Sequence, residues 1–311
     1  MLTPRENLKF FGHQEAQNVF LKAFHSGRFP YAWIITGPFG IGKATFAFHM
    51  ARYILSGRQD GNTIFSESDP LHRRVVAQSH GDLRTLGGEE ASEIGVESIR
   101  ELNAFLNQTS AEGGWRVIII DGADRLNRNA ANALLKRLEE PPLKTVFLLI
   151  TALPGRLLAT IRSRCQLLAL TPLEEETVKE VLFSQNISAP TFLSIAQGSP
   201  GRLMRLMEGE GQQIYADLQK VLQGGSPTSF VHTYGGEEGS YILLEDLLRN
   251  FLHTDLLAKV EGGPSLFNEV SLDEALRVYE KIEGLFDQCR FAQLDRKVTL
   301  TCVFASLGNK K

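Results

Sequence analysis

The sequence predicts an α/β domain built on a parallel sheet, followed by a small helical domain and a helical tail. Three observations predict it. Short, continuously apolar runs such as 117–120 and 146–150 alternate with helix-period segments through the first half of the chain. Such runs suit parallel strands buried on both faces, and their alternation with helices implies right-handed crossover connections. A glycine-rich turn joins the first strand to the first long helix, and beyond Thr171-Pro172 the strand runs cease.

Residues 14–25 place Ala16, Val19, Phe20, Ala23 and Phe24 at helical spacing. Trp33-Ile34-Ile35-Thr36 reads as a short buried strand. A helix is expected over 43–55, with Phe46, Ala47, Met50, Ala51 and Ile54 on one face. Residues 56–90 are polar and broken by Gly57, Gly61, Pro70, Gly81, Gly87 and Gly88, so they read as irregular. A helix over 96–107, a strand over 115–121 and a helix over 129–140 follow, the last stopped by Pro141-Pro142. Strands are expected at 146–151 and 165–170. Three short helices then fit 173–185, 189–197 and 200–207. In the tail, Gly224-Gly225-Ser226-Pro227 and Gly235-Gly236 interrupt longer helices, of which 241–260 and 272–291 are the clearest. No fixed-period repeat occurs.

At 311 residues the chain exceeds one comfortable core, so two or three domains are expected. Its apolar runs fall far short of the roughly 20 residues of a membrane span, and its first residues lack the apolar stretch of a signal peptide. A cytoplasmic location without membrane contact is the expectation. Cys165, Cys289 and Cys302 are widely spaced and odd in number, as for reduced thiols, and no pair has zinc-ligand spacing. The net charge of −3 is not that of a dedicated nucleic-acid binder. From Gln212 onward there are 10 basic and 14 acidic residues; before it, 23 and 22. Any DNA contact therefore belongs to the front half.

Gly37-Pro38-Phe39-Gly40-Ile41-Gly42-Lys43-Ala44-Thr45 matches a P-loop up to its last position. Gly37, Gly40 and Gly42 let backbone N–H groups turn around phosphate oxygens, a helix N-terminus faces the anion, and Lys43 meets the β and γ phosphates. The bland reading is a glycine-rich turn with a solvated lysine. Ala44 stands where a hydroxyl would hold Mg²⁺. Thr45 is one residue late, rotated by about 100° around the helix. Phosphate binding is compatible with the loop, and metal positioning is expected to be impaired.

Val117-Ile118-Ile119-Ile120-Asp121 has the form of a Walker B strand, whose Asp121 could support a magnesium ion. Gly122 follows where hydrolytic proteins of this type carry a glutamate that orients water. The bland alternative for Asp121 and Asp124 is that they are helix-capping carboxylates after a buried strand, and at Asp121 both roles can coexist.

From Asp121 the chain reads Asp-Gly-Ala-Asp-Arg-Leu-Asn-Arg-Asn-Ala-Ala-Asn-Ala-Leu-Leu-Lys to Lys136. Leu138-Glu139-Glu140-Pro141-Pro142 and Ser163-Arg164-Cys165 follow. In that order these motifs resemble the AAA+ subunits of the bacterial DNA polymerase III clamp loader. Phe11-Gly12-His13, Ala32-Trp33 and Gly198-Ser199-Pro200-Gly201-Arg202 fit its delta-prime family best. The resemblance covers about the first 210 residues strongly. It implies a P-loop nucleotide-binding-like AAA+ domain over 1–171, a helical lid over 172–210 and an all-α collar for oligomerisation over 211–311. It implies a cytoplasmic hetero-oligomer for DNA replication, with tau/gamma and delta subunits in a five-membered ring that loads the sliding clamp onto primed DNA. It further implies a subunit of the polymerase holoenzyme without ATPase or polymerase activity of its own.

By the same resemblance, Arg164 is an arginine finger acting in trans on a neighbour's nucleotide. Thr151 is the polar sensor beside Walker B, and Arg202 is the lid sensor toward this subunit's own ATP or ADP. A surface ion pair at Arg164 and a plain strand-end residue at Thr151 are the alternatives. Many relatives carry a four-cysteine zinc module between P-loop and Walker B. Residues 56–114 contain no cysteine, so no zinc is expected. Two other functions stay open: an active tau/gamma-type motor, against which Ala44 and Gly122 speak, and a DNA-binding module using Arg73-Arg74 and Arg125 with Arg128.

Overall fold

The computed structural model describes residues 2–88, 91, 93–187, 193–291 and 294–308. Five strands, β1 (Ala32–Thr36), β2 (Leu83–Gly87), β3 (Arg116–Asp121), β4 (Thr145–Thr151) and β5 (Gln166–Ala169), form one sheet in the order β2-β3-β4-β1-β5. Every neighbouring pair is parallel. The helices of this part are α1 (Gln14–His25), α2 (Lys43–Leu55), α3 (Pro70–Val76), α4 (Val96–Leu106), α5 (Arg128–Glu139) and α6 (Ala159–Arg162).

The continuous apolar runs are explained by the two faces of this sheet. Successive strand side chains point to opposite faces. Trp33, Ile35, Val117, Ile119, Val146, Leu148 and Ile150 join one core with Phe20 and Phe24 of α1, Phe46 and Met50 of α2, and Leu71 and Val75 of α3. Ala32, Ile34, Ile118, Ile120, Phe147 and Leu149 join the other, with Ile99 and Leu102 of α4, Leu134 and Leu138 of α5, and Ile161 of α6. The N-terminal segment is fastened to the first layer by Arg52, fully buried, whose guanidinium donates to the carbonyls of Arg5 and Asn7. Burial lowers the Arg52 pKa to about 10 and, with Arg52 beside it, that of His49 to about 4.

The segment 56–90, expected to be irregular, contains α3 and β2. Pro70 occupies the first turn of α3 after Asp69, whose carboxylate accepts from Leu71 N at 2.8 Å; the proline starts a helix here. β2 is an edge strand in which Leu86 is the one buried side chain, so it lacks the apolar run of its neighbours. A buried carboxylate orders the region: Asp82, 1% exposed, accepts from Ser110 Oγ, Ala111 N and Glu112 N at 2.8–3.0 Å. Hydrogen bonds to a charged group contribute roughly 1.5–3 kcal/mol each, so Asp82→Ala is expected to destabilise this unit by about 2 kcal/mol. Urea unfolding checks it; an unchanged midpoint would show that the loop is held by other means.

After Leu170 the chain turns helical, with α7 (Glu175–Ser184), α8 (Leu193–Ala196) and α9 (Pro200–Met207). The expected 189–197 helix falls partly outside the described residues. Compact packing divides the chain into Met1–Leu203 and Met204–Lys311. The second unit holds α10 (Gly211–Leu222), α11 (Pro227–Tyr234), α12 (Glu238–Val260), α13 (Leu272–Phe291) and α14 (Arg296–Gly308). Leu244, Leu248 and Leu252 of α12, Ile282 and Phe286 of α13, and Leu300 and Val303 of α14 are buried in it. Arg249 ties α12 to α13, pairing with Glu245, Glu283 and Asp287 above the Phe286 ring. No described helix is long and apolar enough to cross a membrane.

Candidate functional site

In a parallel sheet all the strand C-termini share one edge, and the expected phosphate-handling residues meet there. The loop leaving β1 keeps Gly37, Gly40 and Gly42 at φ 147°, 74° and 100°, a region open mainly to glycine. Gly42 stands at the N-terminus of α2 without a side-chain cap, so the first amides of that helix keep the anion-binding character of a helix start. Lys43 Nζ donates to Gly37 O at 2.8 Å and Pro38 O at 2.7 Å, laying the ammonium across its own loop. Burial lowers its pKa to about 8, against the opposing pull of Asp121 and Asp124. His13, at φ 52°, bonds through Nε2 to Ile41 O at 3.0 Å and so ties the start of α1 to the loop; burial lowers its pKa.

Ala44 turns its methyl toward the core that contains Phe46 and Ile41, which accounts for an apolar residue where a metal-binding hydroxyl was sought. Thr45 is half-buried one position further on. The donor set therefore suits phosphate oxygens at the loop and Lys43, and supplies no hydroxyl at the usual magnesium position.

The helix that begins at Pro200 closes on the tip of the loop. Gly201 N donates to Gly40 O at 2.9 Å. A Cβ on Gly40 would stand 2.6 Å from Arg202 N, and one on Gly201 would stand 2.7 Å from Gly40 Cα. Two glycines are needed for this approach, and it brings the backbone of Arg202 to the loop. The Gly201 requirement was not evident in the sequence, where the eye is drawn to the arginine.

At the ends of β3 and β4, Asp121 pairs in register with Ile150, next to Thr151. The Thr151 hydroxyl donates to Asp124 Oδ1 at 2.6 Å and accepts from Leu153 N at 2.9 Å, so the sensor position is built into a local network with Asp124. Gly122 adopts φ 83°, and a Cβ there would lie 2.0–2.3 Å from the Arg125 guanidinium. Arg125 folds over Gly122 and donates to Asp121 O at 2.9 Å and to Ala91 O. The place of a water-orienting glutamate is thus filled by an arginine held on backbone carbonyls. Arg125 was read earlier as a candidate DNA contact. Of the other arginines in that reading, Arg74 pairs with Glu112, Arg73 Nε donates to Glu67 O, and Arg128 is exposed.

Arg164 does not join this edge. It lies two residues before β5, and β5 runs from Gln166, opposite Trp33, to Ala169, opposite Thr36. The four strand residues between Arg164 and the loop end of the sheet account for about 13 Å at 3.3 Å each. Its guanidinium donates to Thr160 O at 2.9 Å and to Glu139 Oε1 at 2.7 Å, the latter at the C-terminal end of α5. Both side chains are partly exposed, 33% and 49%. The ion pair considered earlier is therefore present, at the strand-start edge of the sheet and away from the phosphate loop.

Comparison with known proteins follows the same motifs. The family described as DNA polymerase III, delta subunit, matches residues 12–174. The chain is 34% identical over 212 residues to the DNA polymerase III subunit delta' of Escherichia coli, covering 66% of this chain and 63% of that protein. It is 43% identical over 136 residues to the delta' subunit of Pseudomonas aeruginosa, covering 43% and 41%. The matched part thus spans less than two thirds of these relatives. Among solved structures, a gamma subunit-related protein of Thermotoga maritima aligns at TM-score 0.53 and 18% identity, over 94% of this chain and 99% of that one. That likeness is one of fold: an α/β part on a parallel sheet followed by a helical C-terminal part.

Proposed function

This chain is a member of the DNA polymerase III delta-prime family, and on that premise we propose that it is a clamp loader subunit that stimulates ATP hydrolysis next door without hydrolysing ATP itself. Its place is in a ring with tau/gamma and delta subunits that opens the sliding clamp and sets it on primed DNA. The 1–171 domain holds a nucleotide-type loop, the 172–210 segment covers it, and the 211–311 helices serve assembly.

The observation that carries this reading is the position of Arg164. A guanidinium at the strand-start edge cannot serve the loop at the strand-end edge of the same sheet, but it can face a phosphate bound by an adjoining subunit. There it would spread positive charge over oxygens that gain negative charge as the γ-phosphoryl group leaves. Ala44 and the Gly122–Arg125 arrangement favour this over a motor, since metal hydroxyl and water-orienting carboxylate are both replaced.

On its own side, ATP or ADP phosphates would be held by the amides of residues 40–44 and by Lys43, with Arg202 brought close through Gly201. Bound Mg²⁺ would supply charge neutralisation, which Ala44 does little to direct. Titrating the isolated protein with fluorescent ATP and Mg²⁺ while assaying phosphate release in the same tube tests the reading. Binding without release is the expected result; steady release would overturn it in favour of a motor.

The same titration carries a pH signature. Lys43 is charged below about pH 8 and loses its proton as pH rises through that value. Affinity for ATP is therefore expected to fall between pH 7 and pH 9, and Lys43→Met to bind weakly with a flatter profile. Equal affinity of the wild type at both pH values would remove Lys43 from the phosphate site.

A further inference from the structure

We propose that Glu139 is a positioning residue for Arg164, fixing the guanidinium in one orientation for use by a neighbour; this rests on the reading of Arg164 as a trans-acting arginine. Glu139 is the last helical residue of α5, and Glu140 and Pro141 end the helix. A carboxylate there is locally unfavourable, because the C-terminus of a helix carries partial negative charge and prefers cations. The preceding residues of the same turn follow that preference, with Lys136 and Arg137. A residue that opposes its local environment calls for a compensating partner, and Arg164 is the cation that lies against it at 2.7 Å.

The pair is poorly suited to holding the fold together. Both side chains are partly exposed, and exposed ion pairs add little to stability. It is well suited to orientation. Arginine is long and rich in rotamers, and a free guanidinium would have to be ordered each time a phosphate met it. Thr160 O and Glu139 Oε1 fix the head at two points. Among the described residues these are its partners, and they engage two of its five N–H donors. The Arg164 side chain stays 33% exposed, and two leucines near the pair in sequence, Leu143 and Leu167, are exposed at 94% and 54%.

The test uses the reconstituted complex with the neighbouring ATP-hydrolysing subunits, and compares wild type, Glu139→Ala, Glu139→Gln and Arg164→Ala. Misplacement of a reacting group by about 1 Å can cost up to ~10²-fold. Glu139→Ala is expected to lower kcat about 10-fold with KM for ATP within about 2-fold. Glu139→Gln keeps an acceptor oxygen and is expected to recover most of the rate. Thermal melting of both variants should match wild type. If Arg164→Ala cripples the rate while Glu139→Ala leaves it unchanged, this proposal falls and the trans-arginine reading stands. Unchanged rates with Arg164→Ala would remove both. A Glu139→Ala loss accompanied by a lowered melting temperature and no rescue by glutamine would assign Glu139 to folding and overturn its positioning role.

Discussion

Arg164→Ala is expected to lower hydrolysis at the neighbouring site by on the order of 10³-fold or more, the range that trans-acting arginines supply in nucleotide hydrolysis. The measurement is phosphate release by the reconstituted complex under single-turnover conditions, with the other sites inactivated so that only the one facing this subunit reports. The change should leave the fold of the subunit itself intact. Arg164 is partly exposed, and it precedes β5 instead of standing within it. Loss of its pair with Glu139 removes an interaction of roughly 0–1 kcal/mol. A large kinetic effect beside a negligible effect on melting is the combination that separates a finger from a structural arginine. Lysine in its place should restore little, since a compact ammonium does not reproduce the planar fork of the guanidinium. A rate within a few-fold of wild type would remove Arg164 from the reaction.

The largest effect on stability is expected at Phe46→Ala, about 3–5 kcal/mol, the usual cost of emptying an aromatic site in a packed core. Phe46 is fully buried and meets Phe20 edge-on at 6.1 Å and Phe10 at 5.5 Å. Its backbone N–H donates to Gly42 O at 2.8 Å in the first turn of α2. The same residue therefore fills the core and seats the helix start on which the phosphate loop depends. Urea unfolding of the N-terminal unit should show the loss, and fluorescent ATP binding should weaken even where the protein remains folded. A cost under about 1 kcal/mol would mean that the site collapses around the gap, against the dense aromatic packing of Phe20, Phe29 and Trp33.

Much of this was legible in the sequence for a physical reason. Strands β1, β3 and β4 lie in the interior of the sheet with helices on both faces, so each had to be a continuous apolar run. Helices α1, α4 and α5 each bury one face, and their periodicity shows it, whereas α2 is buried on all sides from Phe46 to Ile54. What escaped notice has less of that signature. β2 is an edge strand with one buried side chain, and α3 is a short helix announced by an Asp-Pro start that also reads as a loop. The candidate site divides in the same way. Gly37, Gly42, Lys43 and Asp121 are tied to local chain geometry and could be found from spacing. Arg125 over Gly122, Gly201 against Gly40 and Glu139 beside Arg164 depend on contacts across the fold. For these the sequence offers at most a hint: a glycine immediately after a strand, a second glycine before an arginine, an acidic residue at a helix C-terminus.

The packing of Arg125 on Gly122 also bears on how such a chain could change over generations. A glutamate at position 122 would meet the guanidinium and would have to accept a backbone conformation, φ 83°, that side chains resist. Shortening Arg125 first would release the carbonyls of Asp121 and Ala91 with nothing gained, because Ala44 still offers no hydroxyl. Each single step toward hydrolysis is thus neutral or harmful until the others are in place. On the proposed reading, these contacts act as a ratchet against regaining hydrolysis one substitution at a time.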